Sequence, residues 1–212
     1  MVGEGVLHTC LVHPAITKVT LLNRKSVGVQ HPKLTEVLHA DFYDLAAVEG
    51  KLTGIDACFF CLGVSSVGME SEAYYKATYT LTMHVAETLL KLNAEMQFCY
   101  ISGQGTDSSE KGRVAWARVK GKTENDLRKM SFKKVFAYRP GFILPMKGMK
   151  NTHPYYRYIN WMYPIGKLVY ANGFNTLEEI GLSMIAVCAN GYEGFILNGK
   201  EISTTAKTLK NA

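Results

Sequence analysis

The sequence has no uninterrupted apolar run of about 18 residues, the length that a membrane-spanning helix requires. It also opens without the basic segment, apolar core and small-residue cleavage site that together mark a secretory signal. On these two absences we expect a cytoplasmic protein with no transmembrane segment.

Long runs of one charge are absent as well. The chain has 24 Lys and Arg against 18 Asp and Glu, a net charge of +6, yet no run of five basic residues. A scattered basic excess fits a phosphate-bearing small ligand better than a nucleic acid. We therefore expect a small-molecule substrate, which the sequence does not name, and no nucleic-acid partner. The net positive charge is the only feature of the sequence that would support an RNA-binding role.

The cysteines do not form the paired clusters of a zinc site. There are five, and only Cys58 and Cys61 are close together, inside an apolar strand-like run. Alternation along a strand directs these two side chains to different faces, and no second pair follows to complete a ligand set. The pattern predicts reduced, buried thiols and no metal site.

Strand-like and helix-like segments alternate along the chain, which is typical of an α/β fold with a parallel sheet. With 212 residues and 47% hydrophobic content, the chain has enough apolar material for one core, so we expect a single domain, 1–212. Residues 146–212 are predicted to be a lid or substrate-side region. The predicted strands are 18–25, 34–40, 55–63, 97–102, 134–145 and 195–198, and the predicted helices are 1–12, 45–52, 72–92, 116–130 and 176–189.

Local signals define the ends and faces of three helices. Asp44 is placed to cap the helix 45–52, and Thr176 with Glu179 has the capping-box spacing. The helix 72–92 is predicted to bury one apolar stripe. That stripe comprises Ala73, Ala77, Leu81, Val85, Leu89 and Leu92.

A doubly wound sheet places its first strand at the centre, between the second and the fourth. No strand precedes the predicted strand at Val19–Leu22. We therefore expect Val19–Leu22 and Ala57–Phe60 to flank a vacant central position, and Met1 to be an internal methionine of a longer protein. The predicted fold class is a Rossmann-like doubly wound parallel sheet without its first strand.

The predicted strand 18–25 corresponds to the second strand of a complete doubly wound sheet. Its end lacks the acidic residue that would bind a free ribose 2′-hydroxyl. Arg24 and Lys25 stand there instead, which favours NADP over NAD, although an ordinary solvated strand end reads equally well. Asp41 and Phe42 follow the next strand, at the edge where open α/β sheets bind ligands, and are candidates to flank an adenine.

The chemistry-bearing residues follow two later strands. Leu62 and Gly63 end one strand, and the missing side chain of Gly63 lets a ligand approach the backbone. Ser102 ends the next strand, and the helix after it is predicted to direct Lys120 into a cleft. Ser102 is placed to touch a substrate.

Four motifs, in order and spacing, resemble the atypical short-chain dehydrogenases/reductases over about residues 1 to 145. More narrowly, the chain is similar to bacterial NAD-dependent epimerase/dehydratase proteins and to the Tat-interacting oxidoreductase-like proteins. The motifs are Leu62-Gly63, Ser102-Gly103-Gln104-Gly105, Lys120-Gly121-Lys122-Thr123-Glu124 and Arg139-Pro140-Gly141.

The resemblance implies a Rossmann sheet that holds a nicotinamide cofactor. It places Lys120 on the nicotinamide ribose, Pro140 and Gly141 beside the nicotinamide, and a serine and a tyrosine on the substrate oxygen. It also implies a pyrophosphate loop of the form Thr-Gly-x-x-Gly-x-x-Gly, of which Gly3 matches only the last glycine.

Two further positions depart from the family pattern. Trp116 occupies the position of the tyrosine, and an indole N–H cannot give up a proton near neutral pH. Ser102 stands either at the position of the family serine or one residue before it, in which case Gly103 occupies that place.

Two functions therefore remain open. One is an NADP-binding protein of the oxidoreductase or epimerase type, and the other is a non-catalytic cofactor-sensing or protein-interaction module. The aromatic stretch Tyr155–Tyr170 fits a substrate lid or a contact between copies of the chain, so a homo-oligomer is a candidate state.

Overall fold

The computed structural model describes residues 1–146 and 173–210. Its helices are α1 (Val2–Val12), α2 (Ser71–Tyr75), α3 (Leu81–Leu92), α4 (Ala115–Lys129), α5 (Leu177–Asn190) and α6 (Gly199–Lys210). A π-helical turn, Lys76–Thr80, joins α2 to α3. The strands are β1 (Val19–Asn23), β2 (Leu34–Leu38), β3 (Ala57–Phe60), β4 (Gln97–Ile101), β5 (Lys134–Arg139), β6 (Phe142–Leu144), β7 (Phe174–Thr176) and β8 (Ile196–Asn198).

All strand pairs are parallel, as the alternation of strands and helices predicts. The main sheet has the order β3-β4-β5-β8, while β1 pairs with β2 and β6 pairs with β7. The prediction of a Rossmann-like α/β fold is confirmed.

Strands β1 and β3 belong to different sheets. No strand in the described part of the chain is hydrogen-bonded to both of them. Val19–Leu22 and Ala57–Phe60 therefore form no direct ladder, which agrees with the expectation, and the vacant central position between them stays a prediction.

Both faces of the main sheet are covered, which explains why its strands are apolar almost throughout. On one face, Phe60 and Phe98 pack with α3 residues such as Val85. On the other, Cys99 and Phe136 pack with residues of α1, α5 and α6. Side chains therefore alternate between two separate apolar layers.

Helix α5 begins at the predicted capping box. The Thr176 hydroxyl accepts the Glu179 N–H at 3.0 Å, and the Glu179 carboxylate accepts the Thr176 N–H at 2.8 Å. Together they satisfy two backbone donors at the helix start. The capping-box prediction is confirmed.

The predicted helix 45–52 is wrong. Asp44 accepts the Ala46 N–H at 3.0 Å in a local turn, and only the short 3-10 segment Glu49–Lys51 follows. Aspartate side chains compete in this way for nearby backbone donors, and that competition favours turns over helix.

The predicted helix 72–92 is confirmed as a helical run, but its first half buries a different face. Tyr74 and Thr78 are buried, whereas Ala73 is exposed and Ala77 only half-buried. The wider π-helical turn at Lys76–Thr80 rotates the helix between the two halves. From Leu81 onward the predicted stripe packs as expected.

The described part of the region 146–212 belongs to the body of the fold. Strand β8 pairs with β5, and Ile180, Leu197 and Ile202 are fully buried in one core cluster. Residues 173–210 thus contribute to the core, and the lid or substrate-side role of the region 146–212 stays a prediction. The aromatic stretch Tyr155–Tyr170 lies outside the described residues.

None of the helices within residues 1–146 and 173–210 is both long and apolar enough to cross a membrane.

The five cysteines are free thiols. As the strand alternation predicts, Cys58 packs against one apolar layer and Cys61 against the other.

Candidate cofactor site

A cleft of about 660 Å³ opens at the carboxyl ends of β3, β4 and β5, beside the first residues of α1. It is lined by residues from separate segments that the sequence pattern had singled out individually. These are Gly3, Leu62, Gly63, Ser102, Lys120, Pro140 and Gly141.

Lys120 extends from the first half of α4 into this cleft. Its ammonium group donates a hydrogen bond to the Ser102 carbonyl oxygen, with a distance of 2.5 Å between the two atoms. Burial lowers the pKa of Lys120 from its usual range to about 8, and the Glu124 carboxylate opposes this shift. Lys120 can therefore offer a positive charge to an anionic or hydroxyl-rich ligand near neutral pH.

The Ser102 hydroxyl donates its proton in a hydrogen bond to the neighbouring strand β5. Its Oγ donates to the Tyr138 carbonyl oxygen at 3.0 Å, and its N–H donates to the same oxygen at 2.9 Å. The residue is 6% exposed. In this rotamer the hydroxyl can accept a hydrogen bond from a ligand, but it has no free proton to donate.

Gly103, the alternative position for the family serine, has a φ of +140°. Residues with a side chain rarely adopt this backbone conformation, because their Cβ clashes with the backbone. A serine at position 103 would therefore be strained.

Trp116 lines the cleft one helical turn before Lys120. Its indole ring lies beside Gly105, where an added Cβ would stand 3.4 Å from the ring. The cleft therefore contains the lysine that the family pattern requires, together with an aromatic side chain that cannot transfer a proton.

Helix α4 lies unusually close to the loop that follows β4. A Cβ added at Gly121 would stand 1.8 Å from the Asp107 carbonyl oxygen, so only glycine fits. The Asp107 N–H also donates to the Ala117 carbonyl oxygen at 3.1 Å. This close contact fixes the position of α4 relative to the loop, and therefore how far the Lys120 side chain extends into the cleft.

A buried ion pair joins α4 to the end of β5. Arg139 donates from Nε to Glu124 Oε1 at 3.0 Å and from Nη2 to Glu124 Oε2. The Glu124 side chain is completely buried and that of Arg139 is 14% exposed. Because Pro140 and Gly141 follow directly, this pair fixes two walls of the cleft relative to each other.

Three predicted site residues do not line the cleft. Phe42 is buried in the core with Val37 and Leu45, because an apolar ring gains more by packing than by facing solvent. Asp41 is exposed and accepts the Tyr43 N–H at 2.8 Å, which closes a turn. Arg24 is exposed at the carboxyl end of β1.

The sequence interpretation missed several residues that line the cleft. Cys61, Val64 and Ile143 contribute, as do Met1 and Val2 at the start of α1. The first three flank residues that were predicted, so extending each strand-end motif by one or two positions would have included them.

The fold and this cleft define the class as a Rossmann-like α/β protein with a candidate site at the carboxyl edge of its parallel sheet. No family model matches the chain.

Two kinds of curated relative are similar to the chain. Protein fmp52, mitochondrial, from Emericella nidulans is 27% identical over 149 residues, which is 68% of this chain and 63% of that protein. Protein HTATIP2 from Rattus norvegicus is 25% identical over 144 residues, or 67% of this chain and 58% of that protein. The chain thus spans about six-tenths of the length of these relatives.

Solved structures share the fold at lower identity. The UDP-glucose 4-epimerase from Thermotoga maritima, with UDP-glucose, has a TM-score of 0.67 at 13% identity and covers 100% of this chain and 79% of its own. The dTDP-glucose 4,6-dehydratase DesIV from Streptomyces venezuelae, with NAD bound, has a TM-score of 0.65 at 14% identity and covers 100% and 78%. These neighbours, together with HTATIP2, confirm the resemblance that the sequence motifs indicate.

The expected cytoplasmic location is contradicted. The curated fmp52 relatives are named mitochondrial in several species. The absence of an apolar span or secretory signal does not distinguish a cytoplasmic from a mitochondrial protein, which explains the error.

Proposed function

We propose that the chain binds a nicotinamide dinucleotide in the cleft and acts as an oxidoreductase or epimerase of the short-chain type. The observation that carries the proposal is the convergence of Gly3, Gly63, Lys120 and Gly141, from four separate segments, on one cleft that also contains Ser102. Neighbours of the same fold have been solved with NAD bound. By analogy with the fmp52 relatives, we also propose a mitochondrial location.

In this arrangement each segment that lines the cleft would bind a different part of the cofactor. The backbone at the start of α1, around Gly3, would bind the pyrophosphate, and Gly63 would let the dinucleotide approach the backbone. Lys120 would hold the nicotinamide ribose through its ammonium group, and Pro140 and Gly141 would border the nicotinamide. The bound cofactor would supply hydride transfer, and the chain's residues position it and its substrate.

The proposed role of Lys120 predicts a pH-dependent affinity for the cofactor. Below pH of about 8 the ammonium is charged and can hold the ribose, and above that pH the charge is lost. We therefore expect NADPH affinity, measured by ligand fluorescence, to fall as the pH rises from about 7 to about 9.5. Lys120→Met should weaken binding at about pH 7 by roughly 10- to 100-fold and abolish the pH step.

Lys122→Met is the matched control for that measurement. Lys122 lies on the same helix but pairs with Asp126 at 2.8 Å and does not line the cleft. It should leave affinity and its pH dependence unchanged. A wild-type affinity that is flat across this pH range would contradict the role of Lys120.

The preference for NADP is a finer proposal that rests on Arg24. The residue is exposed at the carboxyl end of β1, and its sequence neighbours Asn23 and Lys25 carry no negative charge that would repel a 2′-phosphate. We expect the wild-type chain to bind NADPH more tightly than NADH by about 10-fold or more, and Arg24→Asp to reverse the order. Lys18→Asp makes the same charge change at the other end of β1 and should alter neither affinity. Equal affinities of the wild-type chain for NADPH and NADH would contradict the assignment of Arg24 to the 2′-phosphate.

A second function is favoured by one observation, the presence of Trp116 in the cleft. A site with Lys120 but without an ionisable group at position 116 can bind the cofactor without catalysing proton-coupled hydride transfer. In that case the chain serves as a cofactor-sensing or protein-interaction module. Fluorescence titration with NADPH, followed by assay of its oxidation with carbonyl substrates, separates binding from turnover.

A further inference from the structure

Two thiols from distant parts of the chain face each other between the main sheet and α5. Cys99, in the middle of β4, is completely buried, while Cys188, near the end of α5, is partly exposed. Their sulfur atoms are 3.9 Å apart, although 89 positions separate the residues in sequence. Neither residue lines the cofactor cleft.

A second contact fixes this part of α5 on the same strand. The Gln97 side-chain amide donates to the Cys188 carbonyl oxygen at 2.9 Å. Gln97 and Cys99 are two residues apart on β4, so their side chains leave the same face of the sheet. A disulfide has an S–S distance of about 2.0 Å, so the sulfurs need to approach by only roughly 2 Å.

We propose that Cys99 and Cys188 are a redox modification site and form a reversible disulfide on exposure to a peroxide. The Cys188 thiolate attacks one peroxide oxygen, so that an S–O bond forms and the O–O bond breaks, and the departing hydroxide takes up the proton that the Cys188 thiol released, which gives water. Cys99 then attacks the Cys188 sulfenic acid after losing its proton. An S–S bond forms, the S–O bond breaks and a second water leaves.

The order of the two steps follows from exposure. Peroxide can reach Cys188, whereas burial excludes it from Cys99 and raises the pKa of the Cys99 thiol above its usual range. Cys99 therefore reacts only after its neighbour has become an electrophile. Burial also raises the pKa values of Cys10 and Cys61 to about 12, so these thiols contain little of the reactive thiolate.

Hydrogen peroxide treatment of the purified chain tests the proposal. We expect two of the five thiols to be lost to maleimide labelling after denaturation, and dithiothreitol to restore them. Peptide mapping should recover one linked peptide pair that contains Cys99 and Cys188. The unfolding temperature of the oxidised monomer should rise by about 5 °C or more, because the bridge constrains a long loop of the unfolded chain.

Variants separate this pair from the other thiols. Cys188→Ser and, independently, Cys99→Ala should prevent both the linked peptide and the rise in unfolding temperature. Cys58→Ser, on the opposite face of the sheet, should leave both intact. A bridge from Cys188 to Cys10, a peroxide-induced dimer between chains, or retention of all five thiols in the wild-type chain would overturn the proposal.

Discussion

Glu124→Gln is expected to lower the free energy of unfolding by about 3–5 kcal/mol, because it removes one charge from a buried ion pair and leaves the other uncompensated. Arg139 donates two hydrogen bonds to Glu124, whose side chain has no solvent exposure. In the variant the guanidinium keeps the neutral Ser108 hydroxyl as an acceptor, with 2.6 Å between Ser108 Oγ and Arg139 Nη2, and the neutral glutamine carbonyl oxygen, but no negative charge opposite it within the described residues. Urea unfolding followed by circular dichroism measures the difference.

Glu87→Gln is the matched control, since Glu87 is an exposed residue on α3 and the same chemical change there should alter stability by less than about 0.5 kcal/mol. The double variant Glu124→Leu with Arg139→Met should recover much of the stability that Glu124→Gln loses, because both charges are then gone. A loss below about 1 kcal/mol in Glu124→Gln would mean that water reaches the pair and screens it.

The ion pair also affects the candidate site through charge. The Glu124 carboxylate raises the pKa of Lys120 against the larger lowering by burial. Removing that carboxylate should therefore move the pKa of Lys120 further below about 8. The pH step in NADPH affinity should shift to lower pH in Glu124→Gln, provided that the variant is still folded at the temperature of the measurement.

The strand ends of this site could be predicted because a simple rule governs them. Parallel strands present their carboxyl ends at one edge of the sheet, so Gly63, Ser102 and Pro140 had to lie near each other once their strands were recognised. Lys120 could be predicted because it falls on the helix that returns from the second of these strands. Residue order and strand direction therefore determine most of the cleft.

Other features depend on tertiary packing that local patterns do not encode. The sequence places Phe42 at a strand end, but whether its ring faces a ligand or the core depends on the turn that Asp41 and Asp44 close. Glu124 and Arg139 are 15 positions apart, and the packing of α4 against β5 brings them together. Helical spacing likewise gave no signal for the π-helical turn that redirects Tyr74 into the core.

Trp116→Tyr is expected to raise the rate of NADPH-dependent carbonyl reduction by about 10²- to 10⁴-fold, the usual contribution of a positioned general acid. Position 116 lies one helical turn before Lys120, and both line the cleft. A phenol there can donate its proton to the substrate oxygen, and the nearby ammonium favours the phenolate that results. The rate of NADPH oxidation on a panel of aldehydes and ketones, under single-turnover conditions, measures the gain.

Trp116→Phe is the control that separates the new hydroxyl from the space released by removing the indole. Both variants vacate the position beside Gly105, but only tyrosine adds an ionisable group. The gain should therefore appear in Trp116→Tyr alone and should disappear when Lys120→Met is added. Equal rates for the tyrosine and phenylalanine variants would show that the missing phenol does not limit turnover. The Ser102 hydroxyl would then be the next group to test. A substrate oxygen needs a second hydrogen-bond donor as well as the phenol, and the Ser102 hydroxyl already donates its proton to the Tyr138 carbonyl oxygen.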